Sequence, residues 1–217
     1  MNEPSAKLLA SGPWLPGSVQ AVWVDDHYEP SAEMSSAADA EIEKLRDRNS
    51  PSHDGLAARL ADWSVSDDQL HLQLQPARWA LRLLDGPEHS SISVLCTVRS
   101  ADGQWLAGRR AQWLASWPGR WALGAGGAVE VGEQPVEAMV RELQEEWSVE
   151  PAYLSIDGLV RVPSGMALLV GRATLHEGAE VTPDHEHDEF EWWPAAIADW
   201  PDHADLPLRT MASFLAK

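Results

Sequence analysis

The sequence predicts an α/β protein in which strands stand on either side of one central helix, preceded by a smaller β-rich segment. Three observations carry this. An amphipathic helix with proline in its first turn starts near Gln134 and Pro135 and ends near Trp147. Short apolar or alternating runs flank it at 91–99, 104–109, 120–124, 154–160, 166–175 and 189–193, with more helix at 195–200 and 205–216. Well ahead of it, QLHLQLQ at 69–75 alternates as a half-buried strand does.

Taken in order, residues 1–18 are rich in Pro, Gly and Ser and read as irregular. A strand is expected at 19–24, then a helix at 34–48 with Ser35 or Ser36 as its cap and Ile42 and Leu45 as apolar contacts. A turn cluster follows at 49–55, and strands at 56–63 and 69–75 join through a hairpin turn at 66–68. A short helix is expected at 76–84, and the turn at 85–89 divides a β-rich accessory domain, 1–88, from a principal domain, 89–217. Two turns interrupt the second part, at 101–103 and in the tryptophan-containing loop 113–119.

The helix after Gln134 carries two faces. Val136, Val140, Leu143 and Trp147 recur at i, i+4, i+7 and i+11, which predicts one apolar stripe against a core. Glu142, Glu145 and Glu146 stand at i, i+3 and i+4 and share another patch. At an effective dielectric near 20 and a separation of roughly 5 Å, each such pair costs about 3 kcal/mol before screening. A hard divalent cation relieves that repulsion, and Mg2+ characteristically bridges a few carboxylates to substrate phosphates. An isolated acidic pair would instead be a solvated face. Here Gly127, then Glu133 after five intervening residues, then Arg141-Glu142 after seven more, argue for the cation.

This stretch, Gly127 to Val149, resembles the Nudix box, G-x5-E-x7-R-E-U-x-E-E-x-G-U with U a bulky aliphatic residue; Ser148 stands where that pattern has glycine. The resemblance implies a mixed-sheet α/β/α sandwich and a Mg2+-dependent hydrolase, with Mn2+ as a possible substitute. It implies Glu142, Glu145 and Glu146 as metal ligands, with the Gly127 carbonyl as a further one, and Arg141 paired with Glu133 to orient the helix. Arg109, Arg110 and Arg120 are expected at substrate phosphates, Arg109 foremost. The water-activating base is expected either among Glu145 and Glu146 or in the loop DHEHDEFEWW at 184–193, where Glu189 is the best single candidate. His185-x-His187 reads as solvent loop in preference to a zinc or nickel site.

Pro163, fourteen residues past Val149, resembles a marker of ADP-ribose-type Nudix enzymes. GLAARL at 55–60 and the pattern of 70–84 faintly resemble the leading segment of nucleotide-sugar pyrophosphatase-like members; a lid or a homodimerisation element is the alternative. The run SWPGRW at 116–121 is similar to isopentenyl diphosphate isomerase, but Ala125 and Gly126 occupy the region of that enzyme's cysteine.

Composition sets the outer limits. A formal charge of −18 and a pI near 4.6 oppose binding to nucleic acid polymers or anionic membranes. A small nucleotide substrate remains compatible, because arginines and a cation set the field inside a cleft. Cys96 is the one cysteine, which excludes an intrachain disulfide, and its apolar run predicts burial. No apolar leader and no run of 18 apolar residues is seen, so a cytoplasmic protein is expected. The expected activity is cleavage of a pyrophosphate bond in a nucleoside diphosphate derivative, ADP-ribose or a nucleotide sugar favoured. The alternative is a silent module that binds such a metabolite.

Overall fold

A strand forms where composition suggested irregular chain. In the computed structural model, which describes residues 6–50, 54–86 and 89–215, β1 (Lys7–Trp14) pairs antiparallel with a strand of the C-terminal half. Gly12 and Pro13 disguise it in the sequence, and its place at the edge of the sheet is where a proline is tolerated. β2 (Val19–Trp23), β3 (Leu56–Ser66) and β4 (Gln69–Arg78) make a second sheet in the order β2-β4-β3. Residues assigned from sequence to a 1–88 domain thus divide between the two sheets.

α1 (Ala32–Asp47) lies against the small sheet, packing Ala38 and Ile42 on Ala77, Ala80 and Leu81. Its cap is Ser31, whose hydroxyl accepts from Met34 N at 3.1 Å, in place of the expected Ser35 or Ser36. The helix expected at 76–84 is a 3-10 turn over Trp79–Leu83, because β4 runs on to Arg78. Residues 51–53 of the expected turn, and 87–88 of the expected boundary, lie outside the described residues.

The main sheet contains β5 (Ile92–Arg99), β6 (Trp105–Arg110), β7 (Trp121–Leu123), β8 (Tyr153–Arg161), β9 (Ala167–Thr174) and β10 (His187–Trp193). Its order is β1-β8-β9-β5-β6-β10, with β7 also on β6; β5 and β9 run parallel and the other pairs antiparallel, so the sheet is mixed. α2 (Pro135–Trp147) covers one face, and α3 (Leu206–Leu215) the other through Leu208, Ala212 and Leu215. This is the expected α/β/α sandwich. The helix expected at 195–200 is only a 3-10 turn, Ile197–Asp199. Among the described residues no helix is long and apolar enough to cross a membrane.

The inward stripe of α2 differs from the expected one. Ala138, Met139, Leu143 and Trp147 are fully buried, whereas Val140 is exposed. Met139 to Leu143 to Glu146 and Trp147 keeps helical spacing equally well, and it brings Glu146 inward with the core. Burial of Met139 and Leu143 stabilises by about 1.5–3 kcal/mol each relative to exposure.

Ser148 ends the helix at φ 56°, ψ 38°, the left-handed conformation that glycine adopts at no steric cost. Its amide donates to the Gln144 carbonyl at 3.0 Å, and its side chain is exposed. Ser148→Gly is therefore expected to raise the unfolding free energy by about 1 kcal/mol. Denaturant titration checks this; a lower midpoint in the glycine variant would overturn the strain argument.

Candidate active site

β5 and β6 pair only where Arg99 meets Trp105, and then they splay. The chain from β7 into the following loop fills the gap. β7 pairs with β6, then Ala125 bridges Cys96 and Ala128 bridges Ser93 on β5. This wedge delivers the glycine-rich loop to the sheet and leads into α2. Gln134 caps the start of α2 just ahead of Pro135, and its N–H donates to Glu137 Oε2 at 3.4 Å.

The small sheet grips this same loop. Gln134 Nε2 donates to the Ala21 carbonyl at 3.1 Å, and Gln134 Oε1 accepts from Ala21 N at 3.0 Å. Trp23 Nε1 donates to the Glu133 carbonyl at 3.1 Å, and Ala58 N to the Val129 carbonyl at 2.9 Å. Sequence reasoning missed this clamp, because partners about 70 to 110 residues apart leave no local signal.

Arg141 organises the acidic patch. It donates to both Glu133 oxygens, at 2.8 and 3.1 Å, to Glu142 at 2.7 Å, to Glu145 at 3.0 Å and to the Ala128 carbonyl at 3.0 Å. The bidentate bond to Glu133 is the first reason the guanidinium's ionisation is raised. The expected Arg141–Glu133 pair is present.

Glu142 lies against Gly127 so closely that a Cβ there would stand 2.0 Å from Glu142 Oε1. Only glycine fits. The Gly127 carbonyl accepts from Val94 N at 2.9 Å, which leaves one lone pair for a cation. Glu146 is 4% exposed; Oε1 accepts from Gly126 N at 3.0 Å, and Oε2 is buried with no hydrogen-bond donor. Burial, with repulsion from Glu142 and Glu186 added, holds the Glu146 carboxyl well above the usual carboxylate range. Glu142 is raised chiefly by burial too, against the pull of Arg141. Glu145 is the most exposed of the three.

The loop before β10 closes the patch from the other side. Thr182 N donates to the Trp147 carbonyl and Asp184 N to the Glu146 carbonyl, both at 2.9 Å, which docks the loop on the end of α2. Glu186, raised by burial and by repulsion from Asp184 and Glu145, stands 3.8 Å from Arg110 Nη2. His187 is buried against Trp147, ring centroids 4.3 Å apart, with Nε2 3.7 Å from Glu146 Oε2 and Nδ1 3.4 Å from Asp184. A Cβ on Gly108 would strike both rings, so that glycine permits the contact. His185 is exposed and stacks on Trp113, so the two histidines do not form a metal pair. His187 is a correction to its reading as solvent loop.

Glu189 stands elsewhere. A bulge between His187 and Glu189 sets Glu189 opposite Arg109, with an ion pair at 3.1 Å, while Phe190 meets Trp147 edge-on. Gly108 faces Trp147, so by strand alternation Arg109 faces the other way. Arg120 pairs with Asp205 at the start of α3. Of the three arginines, Arg110 is the one brought to the glutamates, through Glu186.

Among the described residues no three Asp, Glu, His or Cys side chains converge as a ready-made metal cage. Arg141 takes an oxygen of both Glu142 and Glu145. A hard divalent cation nevertheless fits the donor set. All the donors are oxygens, and the buried, unpartnered Glu146 Oε2 is the kind of group that a cation stabilises.

No curated protein matches the chain. It is similar in structure to the MutT protein of Methanosarcina mazei Go1, with 22% identity over 58% of this chain and 92% of that one, at a TM-score of 0.42. It is similar also to the NUDIX domain of Shewanella oneidensis NrtR complexed with ADP ribose, with 19% identity, 58% and 88% coverage and a TM-score of 0.45. A C. elegans Ap4A hydrolase gives 21% identity, 57% and 98% coverage and a TM-score of 0.44. The family model for the NUDIX domain matches residues 89–212, the stretch that carries the glycine loop, α2 and the docked loop. With more than half of its length matched, this chain belongs to the NUDIX family.

Proposed function

We propose that the protein is a Mg2+-dependent hydrolase that cleaves the pyrophosphate bond of a nucleoside diphosphate joined to another group, X, with ADP-ribose or a nucleotide sugar favoured. The observation that carries this is the Glu146 carboxylate, buried beside Glu142 with one oxygen lacking any protein donor. Residues 89–217 form the catalytic domain in this reading, and residues 1–88 are its accessory part.

Glu142, Glu145 and Glu146 hold the cation, with the free lone pair of the Gly127 carbonyl available to it. When bound, Mg2+ neutralises charge on the phosphoryl oxygens and makes the attacking water more acidic. Arg141, fixed by Glu133, keeps the three carboxylates in one register. Glu186 takes the proton of the water, in place of Glu189, because it faces the glutamates and burial raises its carboxyl above the ordinary value. A new P–O bond forms from water as the bridging P–O bond breaks, giving a nucleoside monophosphate and phosphorylated X. Arg110 is positioned to meet phosphate oxygens; Arg109 and Arg120 would first have to leave Glu189 and Asp205.

The test is a panel of ADP-ribose, nucleotide sugars, dinucleotides and nucleoside triphosphates with Mg2+ or Mn2+, read by phosphatase-coupled phosphate release. Turnover is expected on diphosphate-linked compounds, with loss in excess chelator and recovery on adding metal. Binding without turnover across the panel would identify a silent module, and full activity in chelator would refute the metal assignment.

A further inference from the structure

We propose that Arg82, from the accessory segment, is a phosphate-binding residue of the catalytic cleft, so that a substrate diphosphate is held from both parts of the chain. The inference relies on the hydrolase reading for the location of the cleft, and not for turnover.

Arg82 lies in the 3-10 turn after β4, outside the stretch matched by the family model. Its side chain crosses to the main sheet, where Nη2 donates to Ser93 Oγ at 3.0 Å. Ser93 is buried near the start of β5 and bridges Ala128, whose carbonyl accepts from Arg141. The guanidinium therefore sits one strand pairing from the group that grips Glu133, Glu142 and Glu145. Its electrostatic neighbours agree with that placement. Burial lowers its ionisation most, Glu142 opposes the change, and Arg110 adds to it. The Arg82 guanidinium thus stands within electrostatic range of Glu142, a metal ligand in the hydrolase reading, and of Arg110, the other arginine directed at the site.

What it lacks is an anion of its own. Among the described residues, Ser93 Oγ is its one hydrogen-bond acceptor, and no carboxylate pairs with it. Nearby Arg78 differs, being held by Asp39 and Asp54, and Arg59 donates to Gln75 and lies over Tyr28. A guanidinium has five N–H donors in a planar fork matched to phosphate, and Arg82 is partly exposed, so the donors that Ser93 leaves over are open to a ligand. Its stack on Trp79, 5.5 Å from the ring centroid, fixes the fork without satisfying it. A phosphate lying between Arg82 and Arg110 supplies the missing charge and two oxygens.

Calorimetric titration of ADP, inorganic pyrophosphate and adenosine onto wild type, Arg82→Gln and Arg82→Lys, with Mg2+ present and thermal melts alongside, tests this. Dissociation constants for ADP and pyrophosphate are expected to rise about 10- to 100-fold in Arg82→Gln, the range of one charged hydrogen-bonding contact. Arg82→Lys should recover part of the loss, while adenosine affinity and Tm stay put. Unchanged ADP and pyrophosphate affinity in Arg82→Gln, or no binding of either by wild type, overturns the proposal. So does a lower Tm with equal loss for adenosine, which would mark Arg82 as a structural pin. If Arg82→Gln does not fold, wild-type ADP affinity in Arg82→Lys overturns it as well. If binding depends on Arg82 but nothing in the substrate panel is hydrolysed, the hydrolase reading fails while this assignment stands.

Discussion

Glu146→Gln is expected to lose about 10^2–10^4-fold in turnover while the protein stays folded, since several kcal/mol of charge stabilisation depends on the cation it holds. Glutamine keeps the shape and still offers an oxygen to Gly126 N, so the loop should not move. What disappears is a buried negative charge that faces Glu142 and Glu186 and has one oxygen without a donor. In the absence of metal that charge is a liability, so thermal stability should hold or rise. Glu145→Gln should also lower turnover and weaken Mg2+ binding, with a smaller effect on stability, because Glu145 is more exposed and already shares Arg141. Turnover, Mg2+ affinity and Tm measured together on both variants check this. Wild-type turnover in Glu146→Gln would remove that carboxylate from the metal site.

Local spacing made part of the site legible. The Arg141–Glu133 pair and the glutamates Glu142, Glu145 and Glu146 sit within one loop and helix, where sequence offset nearly fixes distance in space. The helix bounds at Pro135 and Trp147 and the left-handed end at Ser148 follow from the same local rules. Long-range pairing was not legible. β1 finds its partner about 150 positions on, as Lys7 pairs with Arg161, and nothing near Gly12 and Pro13 announces a strand. Val140 and Met139 fit helical stripes equally well, and only the position of the sheet decides between them. The clamp of Gln134 on Ala21 and the reach of Arg82 to Ser93 likewise depend on how the small sheet docks. The loop at 184–193 failed for a different reason. Period-two alternation from His187 would carry Glu189 inward, and one bulged residue reverses the face.

That bulge sets up the second large effect. Glu186→Gln is expected to lower turnover about 10^2–10^4-fold, the usual contribution of a positioned acid or base, while leaving Mg2+ affinity nearly intact. Glu189→Gln should change turnover only a few-fold, because its carboxylate is paired with Arg109 on the sheet face that Gly108 does not share with Trp147. Three features favour Glu186. Its backbone is fixed by Ala111 N donating to its carbonyl at 2.7 Å and by its own N–H donating to Asp184 at 2.9 Å. Its carboxyl interacts electrostatically with Glu145, and it contributes in turn to the raised ionisation of Glu142 and Glu146. It is also partly open to solvent, as an acceptor of a water proton must be. Single-turnover rates and metal affinity on the two variants separate the possibilities. A deep loss in Glu189→Gln with Glu186→Gln near normal would return the base to Glu189 and require the bulge to rearrange on binding substrate. Equal loss of rate and metal affinity in Glu186→Gln would make Glu186 a fourth ligand and leave the proton to the helix glutamates.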